Sequence, residues 1–269
     1  MQQKSAFFFL IASLISGLSL ASENDFKMKI INGEPCRVEE FPSSMALLIL
    51  EDGKRKAICG GTLIAPDVVL TAAHCVARGD RQYFVTPLSD LSHVAFSDIP
   101  GKMASEVLSH IAYIPGSNDI ALLILGKPMS EPVGRLIDTS RISIMREGLA
   151  VKIVGWGHQE PKTPEAKPHM PIKTCSSSFI QRLATANFQV GSSRLSARKC
   201  FGDSGSATYT QDPESKEWLI IGITACLSDG DTTCEKGALD TRVDAYLPWI
   251  KNAMLQACNS GLRSPVYCQ

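Results

Sequence analysis

The stretch Cys200-Phe201-Gly202-Asp203-Ser204-Gly205-Ser206 decides how this chain is read. A serine hydroxyl is a weak nucleophile until a neighbouring base takes its proton. Glycines on either side of Ser204 permit a tight turn. Such a turn aims the N–H groups of Gly202 and Ser204 at one point, where the oxyanion of a tetrahedral intermediate would sit. One donor of that kind is worth about 3 kcal/mol of barrier. On its own, Gly-Asp-Ser-Gly is also an ordinary surface turn.

Two further segments give it company. Thr71-Ala72-Ala73-His74-Cys75 closes the apolar run Val68-Val69-Leu70, and Asn118-Asp119-Ile120-Ala121-Leu122-Leu123 opens another. A histidine thus stands at a strand end and an aspartate begins a buried segment. The imidazole can act as base, and a buried carboxylate can fix its tautomer and stabilise the imidazolium. The chain order His74, Asp119, Ser204 excludes a serine esterase of the α/β-hydrolase class, where the nucleophile comes first. A binding protein on a catalytic scaffold is a competing class. The complete set of three residues speaks against it.

With these pieces, the chain resembles the trypsin/chymotrypsin family of serine peptidases. Further matches are Ile30-Ile31-Asn32-Gly33, Cys59-Gly60-Gly61-Thr62-Leu63-Ile64, Val154-Gly155-Trp156-Gly157, Thr241-Arg242-Val243 and Tyr246-Leu247-Pro248-Trp249-Ile250. The resemblance runs from Ile30 to Ile250. It implies an all-β fold of two six-stranded antiparallel β-barrels with a C-terminal helix, the active site lying between the barrels. It implies a secreted endopeptidase with His74, Asp119 and Ser204 as catalytic triad, Gly202 and Ser204 as oxyanion donors, no cofactor and no metal. It also implies cleavage between Lys29 and Ile30, which frees an ammonium on Ile30 to pair with Asp203. Residues 22–29 would then be an activation propeptide, residues 30–256 the peptidase domain and residues 257–269 a C-terminal tail.

The resemblance also implies disulfides. Cys59 with Cys75 would staple the histidine loop, and Cys200 with Cys234 would brace the nucleophile loop, with Cys226 a rival partner for Cys200. Cys175 is the candidate partner of Cys36. Cys258 and Cys268 are placed to close a small loop in the tail. Nine cysteines leave one thiol over. No Cys-x-x-Cys pair or His-x-x-x-His is present to favour zinc.

Substrate choice departs from the trypsin-like pattern. The resemblance places the specificity pocket at Arg198, Ala225, Leu227 and Gly237. Arg198 stands six residues before Ser204, where trypsin-like members carry an Asp. Facing inward, its guanidinium would pair with a carboxylate, and the residue before the scissile bond would be acidic. Turned to solvent, or displaced by a shift of loop register, it would not. An arginine-floored pocket would not cut after Lys29, so activation would need a separate protease. Ala225-Cys226-Leu227 stands where a Ser-Trp-Gly stretch is usual, and Ser206-Ala207 replaces Gly-Pro. These changes alter the pocket wall and remove no reacting group.

The remainder of the sequence fits an exported, folded chain. Lys4 precedes an apolar run from Ala6 through Leu18, ending in Ser19-Leu20-Ala21, the pattern of a signal peptide spanning residues 1–21. Its apolar run is short for a membrane span. Of 269 residues, 44 % are hydrophobic and 20 % charged, which excludes a disordered chain. With 27 basic and 27 acidic side chains, nothing suggests nucleic acid or an anionic membrane as partner; protein or peptide substrates remain.

Short apolar runs at 45–50, 68–71, 120–124, 151–154 and 218–224 predict strands. Val243, Tyr246, Leu247, Ile250 and Met254 share one face of a helix. Four prolines, Pro161, Pro164, Pro168 and Pro171, predict an exposed loop.

Overall fold

The computed structural model describes residues 30–31, 33–37, 39–157, 171–191 and 196–268. The signal and propeptide segments, Lys29, Pro161, Pro164 and Pro168 lie outside these residues.

The first barrel contains strands β2 (Ser44–Glu51), β3 (Lys54–Ala65), β4 (Val68–Thr71), β5 (Gln82–Thr86), β6 (Lys102–Ser109) and β7 (Ala121–Leu125); a short strand β1 (Glu34–Pro35) precedes it. It closes in the order β2-β3-β4-β7-β6-β5. Strand β2 explains why its sequence, SMALLILE, is apolar without alternation. Met45, Leu47 and Ile49 enter the main core, whereas Ala46, Leu48 and Leu50 pack with Trp156, Leu91 and Ile99. Both faces are covered, so both carry apolar side chains.

After the short β8 (Arg135–Leu136), the second barrel contains β9 (Ala150–Gly155), β10 (Thr174–Leu183), β11 (Asn187–Val190), β12 (Ala207–Gln211), β13 (Trp218–Leu227) and β14 (Ala238–Arg242). The order β10-β11-β14-β13-β12-β9 closes through pairing of β9 with β10. The architecture is thus two closed six-stranded antiparallel barrels. Predicted strands 45–50, 68–71, 151–154 and 218–224 fall within β2, β4, β9 and β13, and 120–124 overlaps β7, which starts one residue later at Ala121.

Helix α1 (Ala73–Val76) is one turn directly after β4, and α2 (Val243–Asn259) follows β14. Val243, Tyr246, Leu247 and Ile250 are buried as the period predicts, but the stripe continues through Ala253 and Ala257, leaving Met254 half-buried. With 3.6 residues per turn the stripe drifts, and small alanines let the helix approach the barrel. The helix also runs past the domain boundary expected at residue 256.

Polar ties fix the barrels together. The Tyr209 hydroxyl on β12 lies 2.7 Å from Ser44 Oγ on β2. Buried Lys173 donates to the carbonyls of Glu40 (2.6 Å) and Phe41 (2.8 Å), anchoring the segment that leads into the first barrel. Arg263, beyond α2, donates to both carboxylate oxygens of Asp67, at 2.7 Å from Nη2 to Oδ1. Disulfides join Cys36–Cys175, Cys59–Cys75, Cys200–Cys234 and Cys258–Cys268. Cys226 is a free thiol, so it is not the partner of Cys200.

Candidate active site

Each barrel contributes to one cavity of about 420 Å³. His74 comes from α1, directly after β4. Asp119 stands just before β7, whose Ala121 pairs with Thr71 of β4. The neighbouring strands therefore bring the two side chains together. His74 Nδ1 lies 2.7 Å from Asp119 Oδ2, and the His74 backbone N–H donates to Oδ1 at 2.9 Å. Asp119 is 4 % exposed, while the His74 side chain is 32 % exposed and faces the cavity. The carboxylate is thus shielded from water and its partner is open to a reactant.

Asp119 is held from outside the strand. Asn118 sits at φ 52°. Its side-chain amide donates to the carbonyl of Ala112 at 2.9 Å, and its oxygen accepts from the Tyr246 hydroxyl at 2.8 Å. The Thr241 hydroxyl donates to the Asp119 carbonyl at 3.0 Å. Helix α2 and strand β14 of the second barrel therefore brace the aspartate of the first. The disulfide Cys59–Cys75 pins α1 to β3. The two sulfurs lie beside His74, but being bonded to each other they offer no thiolate to a metal.

Ser204 lies on the same cavity, delivered by the loop before β12. Gly202 and Gly205 have φ values of 94° and 77°, a region that side chains disfavour. A Cβ on Gly205 would also lie 2.3 Å from Thr71 Oγ1 and 2.4 Å from the Gly60 carbonyl. That closeness is used: Gly60 N–H donates to the Ser204 carbonyl at 2.6 Å, and Thr71 Oγ1 donates to the Gly60 carbonyl at 2.7 Å. The Ser204 loop is thereby tied to strands β3 and β4.

Asp203 points the other way. It is fully buried, and its carboxylate accepts from the N–H groups of Gly157 and Cys200, both at 2.8 Å. A Cβ on Gly157 would lie 2.4 Å from the carboxylate, which is why Gly-Trp-Gly ends β9. Desolvation pushes the Asp203 carboxyl up to about 6, against the pull of those two N–H donors. Ile30 is fully buried in the core, and Ile31 packs against the Cys200–Cys234 disulfide beside Asp203.

The expected pocket residues do not all meet. Leu227 lines the cavity, as do Cys226, Phe201 and Thr224; Ala225, Gly237 and Arg198 are not in the lining. Arg198 neither faces the cavity nor turns to solvent. It is 5 % exposed, its N–H donates to the Ile31 carbonyl at 3.0 Å, and its side chain lies beside Gly191. In extended backbone, adjacent side chains take opposite sides. Lys199, one residue on, therefore lines the cavity instead. It is fully buried and donates to Asp240, Thr208 and Thr224. Sequence reasoning missed Lys199 and Asp240. The available signal was a carboxylate inside the otherwise strand-like Ala238-Leu239-Asp240-Thr241, since a charge in a buried strand demands a partner.

Residues 30–250 match the family model for trypsin. That is most of the chain and contains both barrels. The chain belongs to the trypsin family. As a member it is a serine-type endopeptidase, a hydrolase acting on proteins or peptides. It is 26 % identical over 265 residues to chymotrypsin-like elastase family member 1 of Felis catus, covering 92 % of this chain and 98 % of that protein. It is 28 % identical over 267 residues to CLIP domain-containing serine protease HP8 of Bombyx mori, covering 85 % of this chain and 70 % of that protein. An ovochymase of Halocynthia roretzi is 26 % identical over 244 residues, covering 82 % of this trypsin-family chain, which spans 15 % of the ovochymase.

Proposed function

We propose that this trypsin-family chain cuts peptide bonds through an acyl-enzyme formed on Ser204. The observation that carries the reading is the His74–Asp119 pair, 2.7 Å apart, opening onto the cavity that Ser204 also lines. Ser204 Oγ attacks the scissile carbonyl as His74 Nε2 takes its proton. Asp119 holds the Nδ1–H tautomer and stabilises the imidazolium. The N–H groups of Gly202 and Ser204 receive the developing oxyanion. His74 then protonates the leaving amine, and water, activated by the same imidazole, releases the acyl group.

The chain is exported by residues 1–21 and held inactive by residues 22–29. Cleavage after Lys29 gives Ile30 an ammonium that pairs with Asp203. The two barrels within residues 30–256 carry out the chemistry, and the tail 257–269 is tied back by Cys258–Cys268 and Arg263. Among the described residues, no helix is long and apolar enough to cross a membrane. The burial of Asp203, with its carboxyl raised to about 6, supports the switch, because an unpaired buried carboxylate gains most from an arriving cation. A separate activating protease is the partner for that step. The acidic preference expected from Arg198 has no support in the cavity lining.

The test is cleavage of a mixed peptide library by protein beginning at Ile30, beside its Ser204→Ala variant. Cuts that vanish in the variant are expected. A folded, correctly processed protein that makes no Ser204-dependent cut would overturn the proposal.

A further inference from the structure

The cavity beside Ser204 has an inner end and a mouth. Among its lining residues, Lys199, Cys200 and Thr224 are buried, at 0, 3 and 3 % exposure, whereas Phe201 is 40 % exposed and Thr232 is on the surface. Lys199 therefore closes the inner end. Its ammonium has three protons, and all three are used within the protein. Nζ lies 2.7 Å from Asp240 Oδ2, 2.6 Å from Thr208 Oγ1 and 2.6 Å from Thr224 Oγ1. The Asp240 carboxylate accepts from Lys199 on both oxygens and from the Thr208 hydroxyl. It too is fully buried. Between this floor and the mouth, the walls are the Lys199 stem, Cys226, Leu227 and Phe201.

We propose that the Lys199–Asp240 pair is a self-neutralised floor, so that the site accepts an uncharged apolar side chain before the scissile bond and rejects both signs of charge. The proposal rests on the peptidase reading above and names its substrate class. An entering carboxylate would shed its water and find every Lys199 proton already taken. An entering ammonium would find the Asp240 charge already neutralised by Lys199 and would be repelled by that lysine's own charge. A charge stripped of water without a partner is costly. An apolar side chain loses nothing and covers apolar wall.

The mouth makes the two rejections unequal. Asp231 lines it, and its carboxylate accepts from the Thr233 N–H (2.7 Å), the Thr233 hydroxyl (2.6 Å) and the Lys236 N–H (2.7 Å). These bonds hold it as an anion. Its field opposes an acidic side chain and favours a basic one without offering a free site. The expected order before the scissile bond is Leu, then Lys, then Glu.

The experiment measures kcat/KM for three peptides differing only in Leu, Lys or Glu at that position, using protein that begins at Ile30. Wild type should prefer Leu by roughly tenfold to a hundredfold, with Glu slowest. Asp240→Asn leaves the Lys199 charge without its partner and should raise the Glu/Leu ratio by about tenfold or more. An acyl-burst titration of Ser204 reports the folded fraction. Removing one member of a buried pair is destabilising. Should Asp240→Asn not fold, the double variant Lys199→Met with Asp240→Asn carries no unpaired charge, and it should keep Leu first. Wild type that cuts best after Glu or Lys overturns the proposal, as does a folded Asp240→Asn variant with an unchanged ratio. Loss of all Ser204-dependent turnover would instead overturn the peptidase reading and this inference with it.

Discussion

Asp119 grips His74 at two points: Oδ2 lies 2.7 Å from the ring Nδ1, and Oδ1 accepts the backbone N–H of the same residue at 2.9 Å. One carboxylate thus sets both the ring's orientation and the position of its backbone. Replacement by Asn keeps the shape but offers an amide N–H where the ring needs an acceptor. Asp119→Asn should lower kcat by about ten-thousandfold, the scale of losing the tautomer-fixing carboxylate in such triads. Steady-state kinetics on a peptide substrate check this, with KM expected to change far less.

The proposed pairing of Asp203 with a freed Ile30 ammonium carries a pH signature that tests it. In the continuous chain its carboxyl is raised to about 6 from 3.8, mainly by desolvation. The folded state therefore keeps a proton that the unfolded state has released. The group's stabilising contribution is complete below pH 3.8 and is lost as pH rises through about 6. Urea unfolding of the Ser204→Ala precursor between pH 4 and 7 should show this decline, and Asp203→Asn should remove it. Cleavage before Ile30 should also remove it, because an ammonium beside Asp203 favours the ionised form. Equal slopes for cut and uncut protein would refute the pairing.

Cys226 is a half-buried thiol on the same cavity as His74 and Ser204, and burial raises it above the ordinary thiol value. Alkylation by N-ethylmaleimide should be slow at neutral pH and speed up roughly tenfold per pH unit while the thiol remains protonated. Each labelled molecule should lose peptide cleavage, because the adduct fills the cavity. Cys226→Ser should be insensitive, and mass spectrometry of the adduct identifies the site.

The pair Asp67–Arg263 ties the tail after α2 to the first barrel, and its side chains are only 4 % and 3 % exposed. Arg263→Met leaves Asp67 buried without its cation and should cost about 3–5 kcal/mol. Denaturant unfolding measures the loss. The activity of the folded fraction should be unchanged, since Arg263 is not in the lining of the active-site cavity.

The fold was legible where burial is simplest. Strands β4 and β7 read as apolar runs, broken only by Thr71, because every residue in them is buried. Strands β3, β6 and β10 were harder. Lys54 to Ala57 on β3 are exposed, and β10 reads TCSSSFIQRL, with polar side chains at many positions. The proposed triad residues His74, Asp119 and Ser204 could be named because each carries its local context in sequence. The cavity floor could not. Which of Arg198 and Lys199 faces inward depends on the pairing of Arg198 with Ile31, a contact between segments far apart in the chain. Asp240, the partner of Lys199, comes from a third segment that only barrel closure brings near.

The most direct test of the triad is active-site labelling. Protein beginning at Ile30 is treated with a fluorophosphonate, and the adduct is mapped by mass spectrometry. One adduct per chain on Ser204 is predicted, absent in Ser204→Ala and strongly slowed in His74→Ala. Folded protein with a free Ile30 amine that takes no label at Ser204 would contradict the account.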